Sequence, residues 1–422
     1  MNPIPTIRKP FVASIELPGS KSIALRQLAM AALTHGHSTI SGVPECDDIL
    51  AMLDCLRALG VQIDYDGRTV SAVGPMDLHG DVALNLRMSG ASTRLVLALA
   101  ALRHGTTKLD GHASLRARPH APLLEVLRAH GCQVEDANGC LPATIRGPFE
   151  APPSLTIDGS ISSQYITALL TSAPWFMRED TQQIIIAGDL VSKPYLDITL
   201  NEMAKRGISA TWLDERTFQV NSGGYASGEF EVEGDATAAS YFIALATLHG
   251  GQVTLENLGE RSKQGDYAFL NIAEQLGASV ERQAHSTVIT GPTQLTPLAE
   301  VDMESMPDAA LTLIAMAPLL PTGARITGLS TLKHKECDRL VCSSTELSKL
   351  GVKHSVDDQS ITIETADAQA LQAIELNTYD DHRMAMAFST LASRVGNMRV
   401  DDLQVVAKTY PNYWQDYRKL IA

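Results

Sequence analysis

Cations, hydroxyls and small residues collect at one recurring place in this chain, the first turn of an apolar helix. Lys21, Ser22 and Arg26 stand at the first such start, Gly90 and Arg94 at the second, and Ser162, Ser163 and Gln164 at the third. Asp308 marks a later one, and Asp381, His382 and Arg383 the last. A helix amino terminus offers free N–H groups and a partial positive charge, so it attracts phosphate or carboxylate. Several such termini facing one cleft would form an anion trap.

Taken singly, each residue has a plainer reading. Ser22, Ser162 and Asp308 would serve as N-caps worth ~1 kcal/mol apiece. Lys21-Ser22 is not a phosphate-binding P-loop, because that motif needs glycines where Ile15 and Ser20 stand. His382 alone reads as a structural histidine. Neither it nor His334 lies in an H-E-x-x-H arrangement, so no metal site is expected. The joint pattern carries more weight than any member.

The elements that position these residues repeat. The openings at Lys21, Gly90, Ser162, Asp235, Asp308 and Asp381 are separated by 69, 72, 73, 73 and 73 residues. About forty residues after an opening, an amphipathic helix ends at glycine: Gly60, Gly131, Gly207, Gly277 and Gly351, each expected at C′. A β-rich pair follows, such as Val61 to Tyr65 with Thr69 to Val73, or Val352 to Val356 with Ser360 to Glu364. Further strands, among them His37 to Ser41 and Gln252 to Leu255, lie between the two helices. Each unit reads β-α-β-α-β-β. Such a unit must bury one face against its sisters, and three per globule give two α/β domains of about 200 residues. The last unit lacks a strand, for which Ile4 to Leu17 is the expected donor, so the chain would cross twice between domains. The expected bounds are 1–18 plus 231–422 for one domain and 19–230 for the other, with the active-site cleft between them.

The composition fits a substrate-binding enzyme. Of 422 residues, 34 are Lys or Arg and 48 Asp or Glu, a net charge of −14, and 45% are hydrophobic. Such a surface repels nucleic acid and anionic lipid, while small anions remain possible where cations gather. Leu95 to Leu102 and Leu311 to Leu320 fall well short of the ~20 residues of a membrane span and read as buried helices. The residues after Met1 lack an apolar run, so no cleaved leader is expected and the mature chain should begin near Met1. Cys46, Cys55, Cys132, Cys140, Cys337 and Cys342 show no C-x-x-C pair or zinc spacing, as for reduced thiols in the cytoplasm.

With these residues in view, the chain resembles the 5-enolpyruvylshikimate-3-phosphate synthases of the enolpyruvyl transferase family. The likeness spans essentially the whole chain. It is carried by Leu17-Pro18-Gly19-Ser20-Lys21-Ser22, Ser160-Ile161-Ser162-Ser163-Gln164-Tyr165, Ser192-Lys193-Pro194-Tyr195, Pro307-Asp308-Ala309-Ala310, Lys335-Glu336-Cys337-Asp338-Arg339-Leu340, Asp381-His382-Arg383-Met384-Ala385 and Ala407-Lys408-Thr409-Tyr410-Pro411. The resemblance implies a two-domain inside-out α/β barrel, each domain built of three βαβαββ units. It implies transfer of the carboxyvinyl group of phosphoenolpyruvate to the 5-hydroxyl of shikimate 3-phosphate with release of phosphate, in aromatic amino acid biosynthesis, with no metal or organic cofactor. The partners implied are small molecules, acting on a monomer.

By the same resemblance, Lys21, Ser22, Arg26, Ser162, Ser163, Gln164, Ser192, Tyr195, Asp308, Thr331 and Lys335 would hold shikimate 3-phosphate. Lys21, Gly90, Arg118, Gln164, Arg339, Arg383 and Lys408 would hold phosphoenolpyruvate. Lys21 and Glu336 are the implied proton-transfer groups, and Asp308 would accept or orient the hydroxyl proton. Each of those roles calls for a pKa moved toward neutrality.

Three departures stand out. The chain has Met88-Ser89-Gly90-Ala91 where the family usually has Asn-(Ala or Ser)-Gly-Thr, Ile23-Ala24-Leu25-Arg26 where Ser-Asn-Arg is common, and Thr331 in place of Asn. They strip neutral hydrogen-bond partners and leave the cations, so altered substrate binding and altered glyphosate sensitivity are expected more than loss of reaction. A diverged paralogue that uses another acceptor, or binds without turnover, is the alternative. The sister enzyme acting on UDP-N-acetylglucosamine is disfavoured, because the few residues before Arg118-Pro119, His112-Ala113-Ser114-Leu115-Arg116-Ala117, include no cysteine. An RNA-phosphate cyclase relative is disfavoured by the charge.

Overall fold

Short polar residues start most of the repeat helices by turning their side chains onto the first free N–H groups. Ser89 caps α3 (Gly90–Ala101), Ser162 caps α6 (Ser163–Phe176), and Asp235 caps α8 (Ala236–His249). Asp338 caps α11 (Arg339–Leu350) and Asp381 caps α12 (His382–Val395). Of the three residues expected as N-caps, only Ser162 acts as one. Ser22 is the second residue of α1 (Lys21–Ala31), and Asp308 lies one residue before Ala309, the N-cap of α10 (Ala310–Met316). Gly351, with φ 83°, closes α11 in the left-handed conformation, and glycines close the equivalent helices at Gly60, Gly131, Gly207 and Gly277.

The computed structural model describes residues 3–298 and 300–421. Met1, where the sequence expectation starts the mature chain, lies outside the described residues. Contacts resolve the chain into two units. One comprises Gly19–Val232, and the other the chain through Pro18 together with that from Glu233 onward.

In the unit Gly19–Val232, three four-stranded mixed sheets carry α1, α2 (Asp47–Ala58), α3, α4 (Ala113–Arg116), α5 (Ala121–Ala129), α6 and α7 (Pro194–Lys205). The strands are β2 (Gly36–Ser41), β3 (Gln62–Tyr65) and β4 (Val70–Gly74); β5 (Val82–Asn85), β6 (Thr106–Asp110), β7 (Gln133–Ala137) and β8 (Cys140–Arg146); and β9 (Ser154–Asp158), β10 (Thr181–Ala187), β11 (Ala210–Trp212), β12 (Thr217–Asn221) and β13 (Gly228–Glu231). Each sheet has one plan. A lead strand runs parallel to the next, which pairs antiparallel with a hairpin, in orders β13-β2-β4-β3, β5-β6-β8-β7 and β9-β10-β12-β11. The helices α1, α3 and α6 pack in the middle of the unit through Leu28, Leu97 and Leu169, none more than 1% exposed. Each such side chain contributes about 1.5–3 kcal/mol.

The second unit repeats the plan with β1 (Val12–Ile15), β14 (Gln252–Leu255), β15 (Ser279–Arg282) and β16 (Thr287–Thr290), then β17 (Glu300–Asp302), β18 (Ala324–Thr327), β19 (His354–Val356) and β20 (Ile361–Ile363). A two-stranded remnant, β21 (Glu375–Leu376) with β22 (Arg399–Val400), marks the truncated last repeat. Its helices are α8, α9 (Phe269–Gln275), α10, α11, α12 and α13 (Tyr413–Lys419). All fourteen residues of α8 are buried, as its all-round apolar sequence requires. The stretch from Leu311 forms buried α10 and, from Ala317, a 3-10 turn at Pro318.

One expectation fails in detail. The amino-terminal segment does not complete the last repeat's sheet, because β1 pairs in parallel with β14 of the fourth repeat. This segment is tied to the last repeat by backbone bonds from Ile4 N–H to the Met398 carbonyl and from Ile7 N–H to the Ser393 carbonyl, and by the Tyr417 hydroxyl donating to the Pro5 carbonyl at 2.7 Å. The lead strand of the first repeat is β13, from the far end of its own unit. Among the described residues no helix is long and apolar enough to cross a membrane, and all six cysteines are free thiols.

Candidate active site

Asp308 is the centre of a charge cluster in the second unit. Its Oδ1 accepts from Lys335 Nζ at 3.0 Å and Arg339 at 2.9 Å, and its Oδ2 from Arg383 at 3.0 Å. These cations come from three separate places: the end of a 3-10 turn (Ser330–His334), the first residue of α11 and the second of α12. Burial pushes the Asp308 carboxyl upward, but Arg383, Lys335 and Arg339 outweigh it and hold the group well below the ordinary carboxylate range. This corrects the expected shift toward neutrality. With all three cations on it, Asp308 is a weak base.

The cluster extends through Arg339, only 1% exposed. Its Nε and Nη2 donate to Asp381 at 2.7 and 3.3 Å, and Nη2 also reaches Glu336 Oε2 at 2.9 Å. Lys408 Nζ donates to Glu336 Oε1 at 3.1 Å. Desolvation alone would lower the Arg339 pKa; Asp381, Glu336 and Asp308 reverse that and keep the guanidinium charged. Arg383 donates through Nη1 to the buried Tyr241 hydroxyl at 3.3 Å, and its backbone N–H caps onto Asp381 at 2.9 Å. Within this set four cations meet three carboxylates, leaving one positive charge in excess. Thr331 is 8% exposed, and its Oγ1 has no hydrogen-bond partner among the described residues.

The unit Gly19–Val232 holds a second group of expected residues. Lys21 Nζ pairs with Asp48 Oδ2 at 3.0 Å. Asp48, in the first turn of α2, is 2% exposed, and its Oδ1 has no hydrogen-bond partner among the described residues. Gly90 opens α3 beside two guanidinium groups: a Cβ there would lie 2.4 Å from Arg94 Nη1 and 2.5 Å from Arg118 Nη1. Glycine is what lets both cations approach the helix start. Arg94 is anchored to the Pro119 carbonyl at 2.9 Å, which the Tyr165 hydroxyl also meets at 2.7 Å. Beside them His120 is fully buried; desolvation first, then Arg94 and Arg118, push its pKa far down, so the ring is neutral.

Around α6 and α7, Ser162 Oγ accepts the Gln164 N–H, while Ser163 and Gln164 are the first two residues of α6. Ser192 sits just before α7 with φ 55°, and its carbonyl accepts the Tyr195 N–H at 3.2 Å. Arg26, expected to hold shikimate 3-phosphate, is tied into the protein. Its N–H groups go to Thr199 Oγ1 at 2.8 Å, Thr167 Oγ1 at 3.2 Å, and the carbonyls of Ser22 and Tyr195 at 2.7 and 2.9 Å. Four of its five donors are therefore engaged by the protein. Burial pushes its pKa down to about 10. Arg26 joins α1 to α6 and α7, and so aims Ser22 and Tyr195.

The expectation gathers Lys21, Arg26, Arg118, Lys335, Arg339, Arg383 and Lys408 with Asp308 and Glu336 in one cleft. Of these, Lys335, Glu336, Arg339, Arg383, Lys408 and Asp308 touch one another in the second unit, and Lys21, Arg26 and Arg118 belong to the unit Gly19–Val232. Asp48 and Tyr241 carry no expectation from the sequence, and Arg94 and Asp381 are expected only as members of the helix-start pattern, with no ligand assigned. The available signal was position: Asp381 opens a repeat helix, Asp48 lies in a first turn, and Arg94 follows Gly90 by one helical turn.

The family profile described as EPSP synthase (3-phosphoshikimate 1-carboxyvinyltransferase) matches residues 5–417. A protein named 3-phosphoshikimate 1-carboxyvinyltransferase from Photobacterium damsela subsp. piscicida is 38% identical over 415 residues, covering 96% of each chain. One of the same name from Erwinia tasmaniensis is 36% identical over 417 residues, again 96% of each. The solved EPSP synthase of Acinetobacter baumannii superposes with a TM-score of 0.81 at 22% identity, over 98% of this chain and 97% of that one, a likeness of fold.

Proposed function

The chain belongs to the EPSP synthase family, and from that premise we propose how its residues carry out the family's reaction. The enzyme is a transferase of the shikimate pathway. It moves the carboxyvinyl group of phosphoenolpyruvate to the 5-hydroxyl of shikimate 3-phosphate and releases phosphate. In the first step the 5-hydroxyl oxygen bonds to C2 of phosphoenolpyruvate while a proton is delivered to its methylene carbon, giving a tetrahedral intermediate. In the second, phosphate leaves C2 and the methyl group gives a proton back.

Shikimate 3-phosphate is held by Ser22, Ser162, Ser163, Gln164, Ser192, Tyr195, Thr331 and Lys335, with Arg26 supporting Ser22 and Tyr195 from behind. Phosphoenolpyruvate is held by Lys21, Gly90, Arg118, Gln164, Arg339, Arg383 and Lys408. Guanidinium forks suit carboxylate and phosphate, and each charge-assisted bond contributes ~1.5–3 kcal/mol. Glu336 and Lys21 move the methylene proton, and Asp308 takes the hydroxyl proton.

The grip of Lys335, Arg339 and Arg383 on Asp308 is the observation that supports this reading best. Anionic substrates compete for those cations. As they draw them away, the carboxylate recovers basicity where a hydroxyl proton must be accepted. We propose further that three repeats per domain form an inside-out α/β barrel and that both groups of residues serve one cleft, in a cytoplasmic monomer.

The test is phosphate release from phosphoenolpyruvate with shikimate 3-phosphate, shikimate or UDP-N-acetylglucosamine offered separately. Turnover is expected with shikimate 3-phosphate alone. Turnover only with the sugar nucleotide, or with none of the three, would overturn the reading.

A further inference from the structure

The two residues before Asp381 are folded in a way that side chains resist. Tyr379 has φ 55° and Asp380 φ 56°, consecutive left-handed positions, neither of them glycine. A Cβ makes that conformation costly, and such backbone persists only where its surroundings over-determine it. Asp381 follows at once as the cap of α12 and the partner of Arg339, and Arg383 comes two residues later. The direction in which the turn delivers the chain therefore sets where two members of the charge cluster stand.

One buried carboxylate fastens this turn. Glu346 lies on α11 and is fully buried. Its Oε1 accepts from the Tyr379 hydroxyl at 2.6 Å and from Lys349 Nζ at 2.6 Å, and its Oε2 accepts the Asn377 backbone N–H at 3.4 Å. The same helix begins with Arg339, which grips Asp381. Seven residues, about 10 Å of helix, separate the two attachments. So α11 holds the segment 377–381 at both ends, with Glu346 on the strained side and Arg339 on the functional side. The Thr378 N–H adds a bond to Asp401 Oδ1 at 3.0 Å, which fixes the start of the turn but not its left-handed residues.

We propose that Glu346 is a positioning residue of the active site: by clamping Tyr379 it maintains the left-handed turn that aims Asp381 and Arg383 at Arg339 and Asp308. This rests on the reading in which Arg383 holds phosphoenolpyruvate. Without the clamp the turn relaxes toward ordinary backbone, the Asp381 cap shifts and Arg383 loses its aim. Small displacements of this kind change KM and kcat while leaving most of the fold in place.

The experiment compares wild type with Glu346→Ala, Tyr379→Phe and Glu346→Ala/Asp380→Gly. Glycine at position 380 takes φ > 0 about as readily as φ < 0, so it removes the steric resistance of one of the two left-handed residues without restoring the clamp. Glu346→Ala is expected to raise KM for phosphoenolpyruvate by ~10-fold or more, lower kcat, and speed amide hydrogen exchange across 378–383. Tyr379→Phe should act in the same direction to a smaller extent, and it carries the test if Glu346→Ala does not fold. Adding Asp380→Gly should recover part of the KM, because the turn then resists only at Tyr379. Wild-type KM and exchange in both single variants, or a loss that Asp380→Gly leaves untouched, overturns the proposal. Wild type that fails to release phosphate overturns the assigned reaction instead, while the exchange measurement still decides whether Glu346 holds the turn.

Discussion

Asp308 and Asp266 show how opposite surroundings drive two buried carboxyls apart. Three cations hold Asp308 ionised. Asp266 accepts from Thr237 Oγ1, has no partner at Oδ1 among the described residues, and is pushed up to about 7 first by burial and then by Asp308. The folded chain therefore keeps this proton above the ordinary value of 3.8, binding more protons than the unfolded chain between about pH 4 and 7. Stability falls as pH rises through that window, by a few kcal/mol in all. Asp266→Asn removes the slope, so its melting temperature should gain on wild type from about pH 5 to about pH 8; parallel curves would refute the assignment. For the cluster itself, Glu336→Gln should lower kcat by ~10²-fold or more with little change in KM. Lys335→Met should mainly raise the KM for shikimate 3-phosphate, by ~10-fold or more. Wild-type steady-state kinetics in both would misplace the site. Of the cluster's cations only Arg383 was legible from its place at a repeat-helix start; Lys335, Arg339 and Lys408 were legible through the family resemblance. The depressed Asp308 was not, since its state depends on side chains from three segments that only the fold brings together. Asp381 is legible as the opening of a repeat helix, but its bond to Arg339 is not, and nothing in the sequence marks Asp48 beyond its place in a first turn, because its partner Lys21 lies in another helix.

At the scale of elements, the starts of helices carry two kinds of load. Ser162 caps α6 with a single neutral bond, so Ser162→Ala costs the fold about 1 kcal/mol. Asp381 caps α12 and also carries half of a buried ion pair with Arg339. Asp381→Asn keeps an oxygen for the cap but removes the charge, and breaking a buried pair from one side costs about 3–5 kcal/mol. Calorimetry should show a drop in melting temperature on the order of 10 °C for Asp381→Asn. A drop no larger than that of Ser162→Ala would mean the pair contributes little. The repeat itself was legible from its spacing and closing glycines, down to hairpins such as β3-β4 and β19-β20 to within two residues at each end. The destination of the lead strands was not. An extended apolar segment such as Val12–Ile15 fits any parallel edge, and nothing local says which sheet it will join.

For the whole molecule, the proposed cleft predicts closure when ligands bring their charges to both groups of residues. Small-angle scattering should show a smaller radius of gyration with shikimate 3-phosphate and glyphosate than without, and an unchanged value would count against closure. The pairing of β1 with β14 and of β13 with β2 also has a consequence for biosynthesis. On the ribosome, Val12–Ile15 emerges more than 200 residues ahead of Gln252–Leu255, the strand it must join. At ~5–20 residues per second, that strand waits roughly 10–50 s without its partner. The unit Gly19–Val232 likewise cannot finish its first sheet until Gly228–Glu231 appears at its own far end. The nascent chain thus holds back its earliest strand while a whole unit is made and closed, and the last half of synthesis retrieves the first.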